Sequence, residues 1–286
     1  MKILVTGATG FLGSRAMAFL SHSCEVQAVP SALLRGELTP ARLDQLRAFL
    51  SEAEPNVLLH TAAISDTGYA ENHSEESRLA NVELPAALAR LTAELGCKLV
   101  SCSSDQVYGG CAERGPFAED EPLTPANVYG RHKLEAERRV AEINPDAVSL
   151  RLTWMYDLPV YGMPTHANLL MNLLSAAARG TALELYDTDF RGITYVRQAV
   201  TNLPKAFALP GGVYNFGSES NDVSTYEIAA AWGRALRLND GLVRPLHGTP
   251  RSLCMDCAKI RKASIVFDDS AAGIRRCISD YNITNL

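Results

Sequence analysis

The sequence predicts an α/β protein, a doubly wound parallel sheet carrying a smaller C-terminal α/β lobe. Over the first 152 residues, short apolar β-branched runs alternate with longer amphipathic segments, the pattern of a parallel sheet with helices on both faces. A glycine-spaced turn closes the first run and opens the first amphipathic segment. Beyond residue 152 the alternation loosens into a breaker-rich stretch and shorter elements.

The first strand is read at residues 3–6, with later strands at 25–29, 56–60, 98–102 and 148–152, each a nearly continuous apolar run. Helices are read between them at 11–21, 40–52, 77–95 and 127–142. Pro40 suits a first helical turn, whereas Pro55 stops the preceding helix before a strand. Residues 157–164 are rich in Pro and Gly and read as a loop. After it come a helix at 166–179, a strand at 182–186, a helix at 196–208, the turn Pro210-Gly211-Gly212, a strand at 213–216 and a helix at 225–236. The tail is weakly patterned.

The 286 residues suffice for a sizeable core without disulfides or metals. Basic and acidic residues (27 and 32) are scattered, so no basic stripe points to nucleic acid, and no apolar run reaches the roughly 20 residues of a membrane helix. A small-molecule partner is the expectation. The first strand runs from Met1 straight into the glycine turn and leaves no room for a secretion signal, and the odd count of seven cysteines suits reduced thiols, so a cytoplasmic protein is expected. Cys254 and Cys257 form a lone C-x-x-C, read as buried small apolar residues rather than a zinc or redox pair. The six histidines show no H-x-x-x-H spacing, and no metal site is expected.

Thr6-Gly7-Ala8-Thr9-Gly10-Phe11-Leu12-Gly13 sits at a strand-to-helix turn, where Gly7, Gly10 and Gly13 permit a tight bend, approach of the backbone to a pyrophosphate and close helix packing. This is a Rossmann dinucleotide signature, and Gly7, Thr9, Gly10, Phe11 and Leu12 are the turn residues expected at the cofactor. The end of the second strand reads Val29-Pro30-Ser31, with no carboxylate to repel a ribose 2′-phosphate. Ser31 could donate to that phosphate and Arg35 or Arg15 could supply charge, which favours NADP(H) over NAD(H).

Tyr129 and Lys133 lie four apart on a predicted helix and share a face. A free phenol ionises near pH 10, so proton exchange near neutrality requires about 3 to 4 kcal/mol of help, which a lysine ammonium can contribute. Ser101-Cys102-Ser103-Ser104 ends the fourth strand at the carboxyl edge, where ligands bind in open parallel sheets. The expected catalytic set is therefore Ser104 orienting a carbonyl, Tyr129 protonating it and Lys133 beside both.

With these residues in view, the chain resembles an extended short-chain dehydrogenase/reductase, and within that superfamily the dTDP-4-dehydrorhamnose reductases. The resemblance covers nearly the whole length: the glycine turn, Glu37-Leu38-Thr39 near the adenine, His60-Thr61-Ala62-Ala63 lining the cofactor, and Asn81 on a helix. It continues through Ser103-Ser104-Asp105-Gln106-Val107-Tyr108, Pro125 to Lys133, Arg151-Leu152-Thr153-Trp154-Met155-Tyr156 and Arg251 to Lys259. It implies cofactor contacts at Leu38, Thr61, Ala62, Ala63 and Asn81, with Tyr129 and Lys133, and substrate contacts at Ser104, Asp105, Gln106, Tyr129 and Trp154. The implied reaction is reduction of a keto group on a nucleotide-sugar, and a homodimer would accord with the resemblance. The family's tyrosine is replaced by Gln106, and Ser65 to Tyr69 lacks its valine-aspartate. Arg191 reads either as a diphosphate ligand or as an ion-pair partner of Asp187 or Asp189, and Asp105 either as a substrate contact or as a turn former. Two rival readings remain, an NADP-binding regulatory subunit without turnover and an epimerase or dehydratase. The expected division puts residues 1–152 and 193–216 in the nucleotide-binding part and 153–192 and 217–286 in the substrate lobe.

Overall fold

A computed structural model describes residues 1–111 and 113–283. The chain runs β1 (Lys2–Thr6), α1 (Phe11–Leu20), β2 (Glu25–Ala28), α2 (Pro40–Ala53), β3 (Val57–His60), α3 (Thr67–Asn72), α4 (Ser74–Arg78), α5 (Leu84–Leu95) and β4 (Lys98–Ser104). It continues with α6 (Val128–Ile143), β5 (Val148–Leu152), β6 (Trp154–Tyr156), α7 (Leu169–Arg179), β7 (Leu183–Tyr186), β8 (Asp189–Arg191), β9 (Ile193–Tyr195) and α8 (Val196–Phe207). The last elements are β10 (Gly212–Phe216), α9 (Thr225–Ala235), β11 (Val243–Leu246), β12 (Arg251–Leu253), α10 (Ala258–Arg261) and α11 (Gly273–Asp280).

Six strands form one parallel sheet in the order β10-β5-β4-β3-β1-β2. The chain steps outward from β1 to β2 and then returns across β1 to β3, so the switch in direction falls between β1 and β3, where open α/β sheets bind ligands. Alternate residues of the buried strands feed two cores. Ile3 and Val5 pack on one face with Val57, Leu59 and Val100, while Leu4 packs on the other with Leu58 and Leu99. This two-sided burial is why the strands read as unbroken apolar runs.

A third core joins Tyr156, Leu169, Leu173, Ile193, Tyr195, Ile228, Trp232 and Ile274. It is separate from the two cores of the main sheet and includes β9, whose partner is β6, so residues 193–195 pack away from the part to which the expected division assigned them. Leu253, Met255, Ile260 and Ile265 pack instead with the nucleotide-side core. The longer helices carry side-chain caps at several starts: Thr39 on α2, Asn127 on α6, Asn168 on α7, and a Ser224–Glu227 capping box on α9.

The helix expected at 77–95 is subdivided. α4 passes through a π-helical turn, Leu79–Glu83, into α5, which carries Pro85 in its first turn. Apolar residues recur from Leu79 through Leu95, so periodicity alone reads the π turn and α5 as one helix. Strands β6, β8, β9 and β12 escaped the sequence reading because three residues cannot display an alternation.

Candidate active site

Gly7 sits at the switch in strand direction with φ +67°, and a Cβ there would lie 2.7 Å from the amide nitrogen of Ala62. A Cβ on Gly13 would lie 2.1 Å from the carbonyl oxygen of Gly7, so this helical turn can pack on the loop only as glycine. Thr6 ties the same gap together. Its hydroxyl accepts from the amides of Thr61 and Ala62 (3.2 and 3.3 Å) and lies 2.7 Å from Nδ1 of His60, while the Thr61 hydroxyl donates to the Thr6 carbonyl (2.7 Å). Burial holds His60 down to about 3, keeping it neutral. The N-terminus of α1 has no side-chain cap and no acidic residue in its first turn, and Thr9 and Gly10 before it are exposed. Free amides at Phe11 and Leu12 on this helix end fit the phosphates of a dinucleotide.

Around this loop, Ala63 is exposed, Leu38 packs against the core, and Ser31 and Arg35 are exposed on the turn that follows β2. Arg15 does not belong with them. It is 4% exposed, and its Nε donates to Asp157 at 2.6 Å while Nη1 donates to the carbonyls of Phe11 and Pro164, so the expectation that it supplies charge to a 2′-phosphate is corrected. Asn81, in the π turn, spends its amide on protein: Oδ1 accepts from the amide of Ile64 (3.1 Å), and Nδ2 donates to the Ile64 carbonyl (2.9 Å) and to Ser77 (3.1 Å). It latches the segment after β3 rather than presenting its side chain to a ligand.

Tyr129 and Lys133 are buried on one face of α6 as their spacing predicts, and Ser104 ends β4 beside them. The Lys133 Nζ lies 5.6 Å from the Tyr129 ring centroid and donates to the Cys102 carbonyl at 2.9 Å. Burial depresses its ammonium to about 8. The Ser104 hydroxyl lies beside the phenol, donates to Asp105 Oδ1 at 3.1 Å and accepts from the Gln106 amide at 3.2 Å. The Tyr129 phenol itself is pushed above its ordinary 10, first by burial and then by the charge of Asp105. The expectation that Lys133 makes the phenol acidic is thus corrected, because burial and a neighbouring carboxylate outweigh an ammonium aimed at a backbone carbonyl.

Asp105 and Arg191 find each other. Arg191 Nη2 donates to Asp105 Oδ2 at 2.7 Å, and its guanidinium lies 5.4 Å from the Trp154 ring centroid. The alternative of an ion pair with Asp187 or Asp189 is corrected, since Asp187 pairs with His247 and Asp189 with Arg251. Gln106 is buried and its Oε1 accepts from Asn127, the residue that caps α6. Trp154 is half-buried at the start of β6. His132 turns to Ser77, with Nδ1 and the hydroxyl 3.0 Å apart.

The family model described as "RmlD substrate binding domain" matches residues 1–280. The chain belongs to this family. It is 31% identical over 87% of its length, and 81% of the relative's, to a probable dTDP-4,6-dihydroxy-2-methyloxan-3-one 4-ketoreductase of Streptomyces antibioticus. It is 28% identical over 92% of its length, and 83% of the relative's, to methionine adenosyltransferase 2 subunit beta of Xenopus laevis. Among solved structures, dTDP-4-dehydrorhamnose reductase of Bacillus anthracis in complex with NADP superposes with TM-score 0.83 over 98% of both chains at 19% identity, a likeness of fold.

Three features of the site had no sequence reading. Thr6 stood inside the quoted glycine motif, but its role as a clasp between β1 and β3 needs the fold. Asn127 caps α6 and also donates to Gln106, a pairing that needs the fold. Glu137, one turn beyond Lys133, accepts from Arg151 (2.7 Å) and from Ser103 beneath the catalytic helix.

Proposed function

We propose that this protein is an NADPH-dependent reductase of a keto group on a nucleotide-activated sugar, of the dTDP-4-dehydrorhamnose reductase type. The observation that carries the reading is that Ser104, Tyr129 and Lys133 meet at the carboxyl edge of β4, the same sheet edge at which the glycine turn follows β1 on the other side of β3. Gly7, Gly10, Phe11 and Leu12 would hold the phosphates through their backbone, with Thr9, Thr61, Ala62 and Ala63 lining the gap. Ser31 and Arg35, with no carboxylate at the end of β2, support NADP over NAD, and Leu38 would pack near the adenine. The division into a nucleotide-binding part and a smaller substrate lobe belongs to the same proposal, with Trp154 facing the sugar.

When bound, the nicotinamide supplies a hydride to the carbonyl carbon. The protein's part is to neutralise the oxygen. Tyr129 keeps its proton because burial and Asp105 disfavour phenolate, so it acts as an acid toward a developing alkoxide, the direction a reductase requires. With substrate bound, Ser104 turns its proton from Asp105 to the carbonyl oxygen, a hydrogen bond that strengthens as charge grows. Lys133 stabilises the tyrosinate left behind and binds the nicotinamide ribose.

The pH dependence follows from these signs. Lys133 is held down to about 8 and loses its charge as pH rises through that value, whereas Tyr129 stays protonated across the range. Consumption of NADPH with a panel of nucleotide-linked keto-sugars should therefore fall as pH rises through about 8, and NADPH should be used in preference to NADH. A binding-only role would instead give cofactor retention with no consumption at any pH.

A further inference from the structure

Ser104 has one proton and two acceptor sites. The proton goes to Asp105 Oδ1 at 3.1 Å, and one acceptor site takes the amide of Gln106 at 3.2 Å, with Tyr129 close beside the hydroxyl. The rotamer of the catalytic serine is therefore set by a carboxylate that is 1% exposed, and that carboxylate is gripped through its other oxygen by Arg191 on β8 of the smaller lobe. Asp105 lies at the tip of β4, so this one ion pair joins the lobe to the strand end that carries the chemistry.

Resting on the reductase reading, we propose that Asp105 and Arg191 form a positioning pair that holds the Ser104 hydroxyl in place beside the Tyr129 phenol for proton delivery. Arg191 acts through Asp105 and not as a ligand of the substrate's diphosphate. The groups facing Asp105 are Ser104 beside it, Tyr129 from α6, and Arg191 and Arg251 from β8 and β12. Arg251 is engaged with Asp189 at 2.7 Å and is half-exposed, so Arg191 is the cation whose loss Asp105 would feel most. Nε of Arg191 is buried without a partner among the described residues, which makes a ligand role the competing outcome that a test must separate.

The test is steady-state reduction of a nucleotide-linked keto-sugar by NADPH across pH, with NADPH fluorescence as the check on folding. For Arg191→Met, kcat should fall about tenfold or more, the loss of a charge-assisted hydrogen bond, with KM for the sugar changed less than about twofold. Protonation of Asp105 would release Ser104, so the unaltered protein should lose kcat on the acid side, and in Arg191→Met this acid limb should move to higher pH, because a buried carboxylate without its cation holds a proton more tightly. Arg191→Lys should recover part of kcat, and adding Asp105→Asn to Arg191→Met should cost less than about a further twofold, as for residues acting as one unit. A KM raised about tenfold with kcat retained would overturn the proposal in favour of a diphosphate ligand. So would additive losses in the double variant. Should Arg191→Met lose NADPH binding, Asp105→Asn alone decides: loss of the acid limb supports the pair, and its persistence overturns it. Absence of turnover in the unaltered protein would overturn the reductase reading and this inference with it, whereas unaltered turnover together with an unaffected Arg191→Met overturns this inference alone.

Discussion

Tyr129→Phe should lower keto-sugar reduction by about 100- to 10,000-fold, the usual contribution of a general acid, while NADPH binding stays within about twofold of the unaltered protein. The substitution removes a single hydroxyl. The ring stays packed on α6, and the ammonium of Lys133 keeps its bond to the Cys102 carbonyl, so neither the fold nor the cofactor loop is disturbed. What disappears is the one proton donor that its surroundings hold in the acid form: burial and Asp105 both disfavour phenolate. The loss should therefore lie in kcat rather than KM, and stopped-flow decay of NADPH absorbance distinguishes the two. Loss of cofactor binding along with turnover would mean that the phenol is structural.

The second large effect concerns stability. Glu137 and Arg151 face each other at 2.7 Å with side chains 4% and 3% exposed, and Arg151 also donates to Tyr108 and the Glu119 carbonyl. Removing the carboxylate by Glu137→Ala leaves a buried guanidinium without its counter-charge and the Ser103 hydroxyl without the acceptor it donates to. The expected cost is about 3 to 5 kcal/mol in urea unfolding. Glu83 provides the contrast, since it pairs with Arg78 and Arg139 where the partners are about a third exposed. Glu83→Ala should cost no more than about 1 kcal/mol. Because Glu137 follows Lys133 by one turn, the network also keeps the catalytic helix seated on β4 and β5.

What could be read in advance follows from locality. Strands β1 and β3 to β5 are buried on both faces, so their apolar runs announced them, and the glycine turn announced itself through its place after β1. The Tyr129–Lys133 pair was legible because four residues on a helix always share a face. Long-range partners were not. Arg191 stands two residues from Asp189, the obvious partner in sequence, yet pairs with Asp105, 86 positions earlier, because β8 lies against the tip of β4 only in the fold. Arg15 likewise looked free beside the cofactor loop until Asp157, 142 positions on, claimed it. Asn81 was assigned to the cofactor from resemblance alone, and its side chain serves the Ile64 backbone from a π turn that no periodicity reveals.

The most direct measurement of the central claim is isotope transfer in a single turnover. The protein would be mixed with NADPH deuterated at the transferring C4 position and a nucleotide-linked keto-sugar, and the product mass read by mass spectrometry. Convergence of Ser104, Tyr129 and Lys133 on a bound nicotinamide predicts one deuterium on the former carbonyl carbon in the unaltered protein and almost none in the same interval with Tyr129→Phe. A product without the label, or the same labelling rate in both proteins, would contradict it.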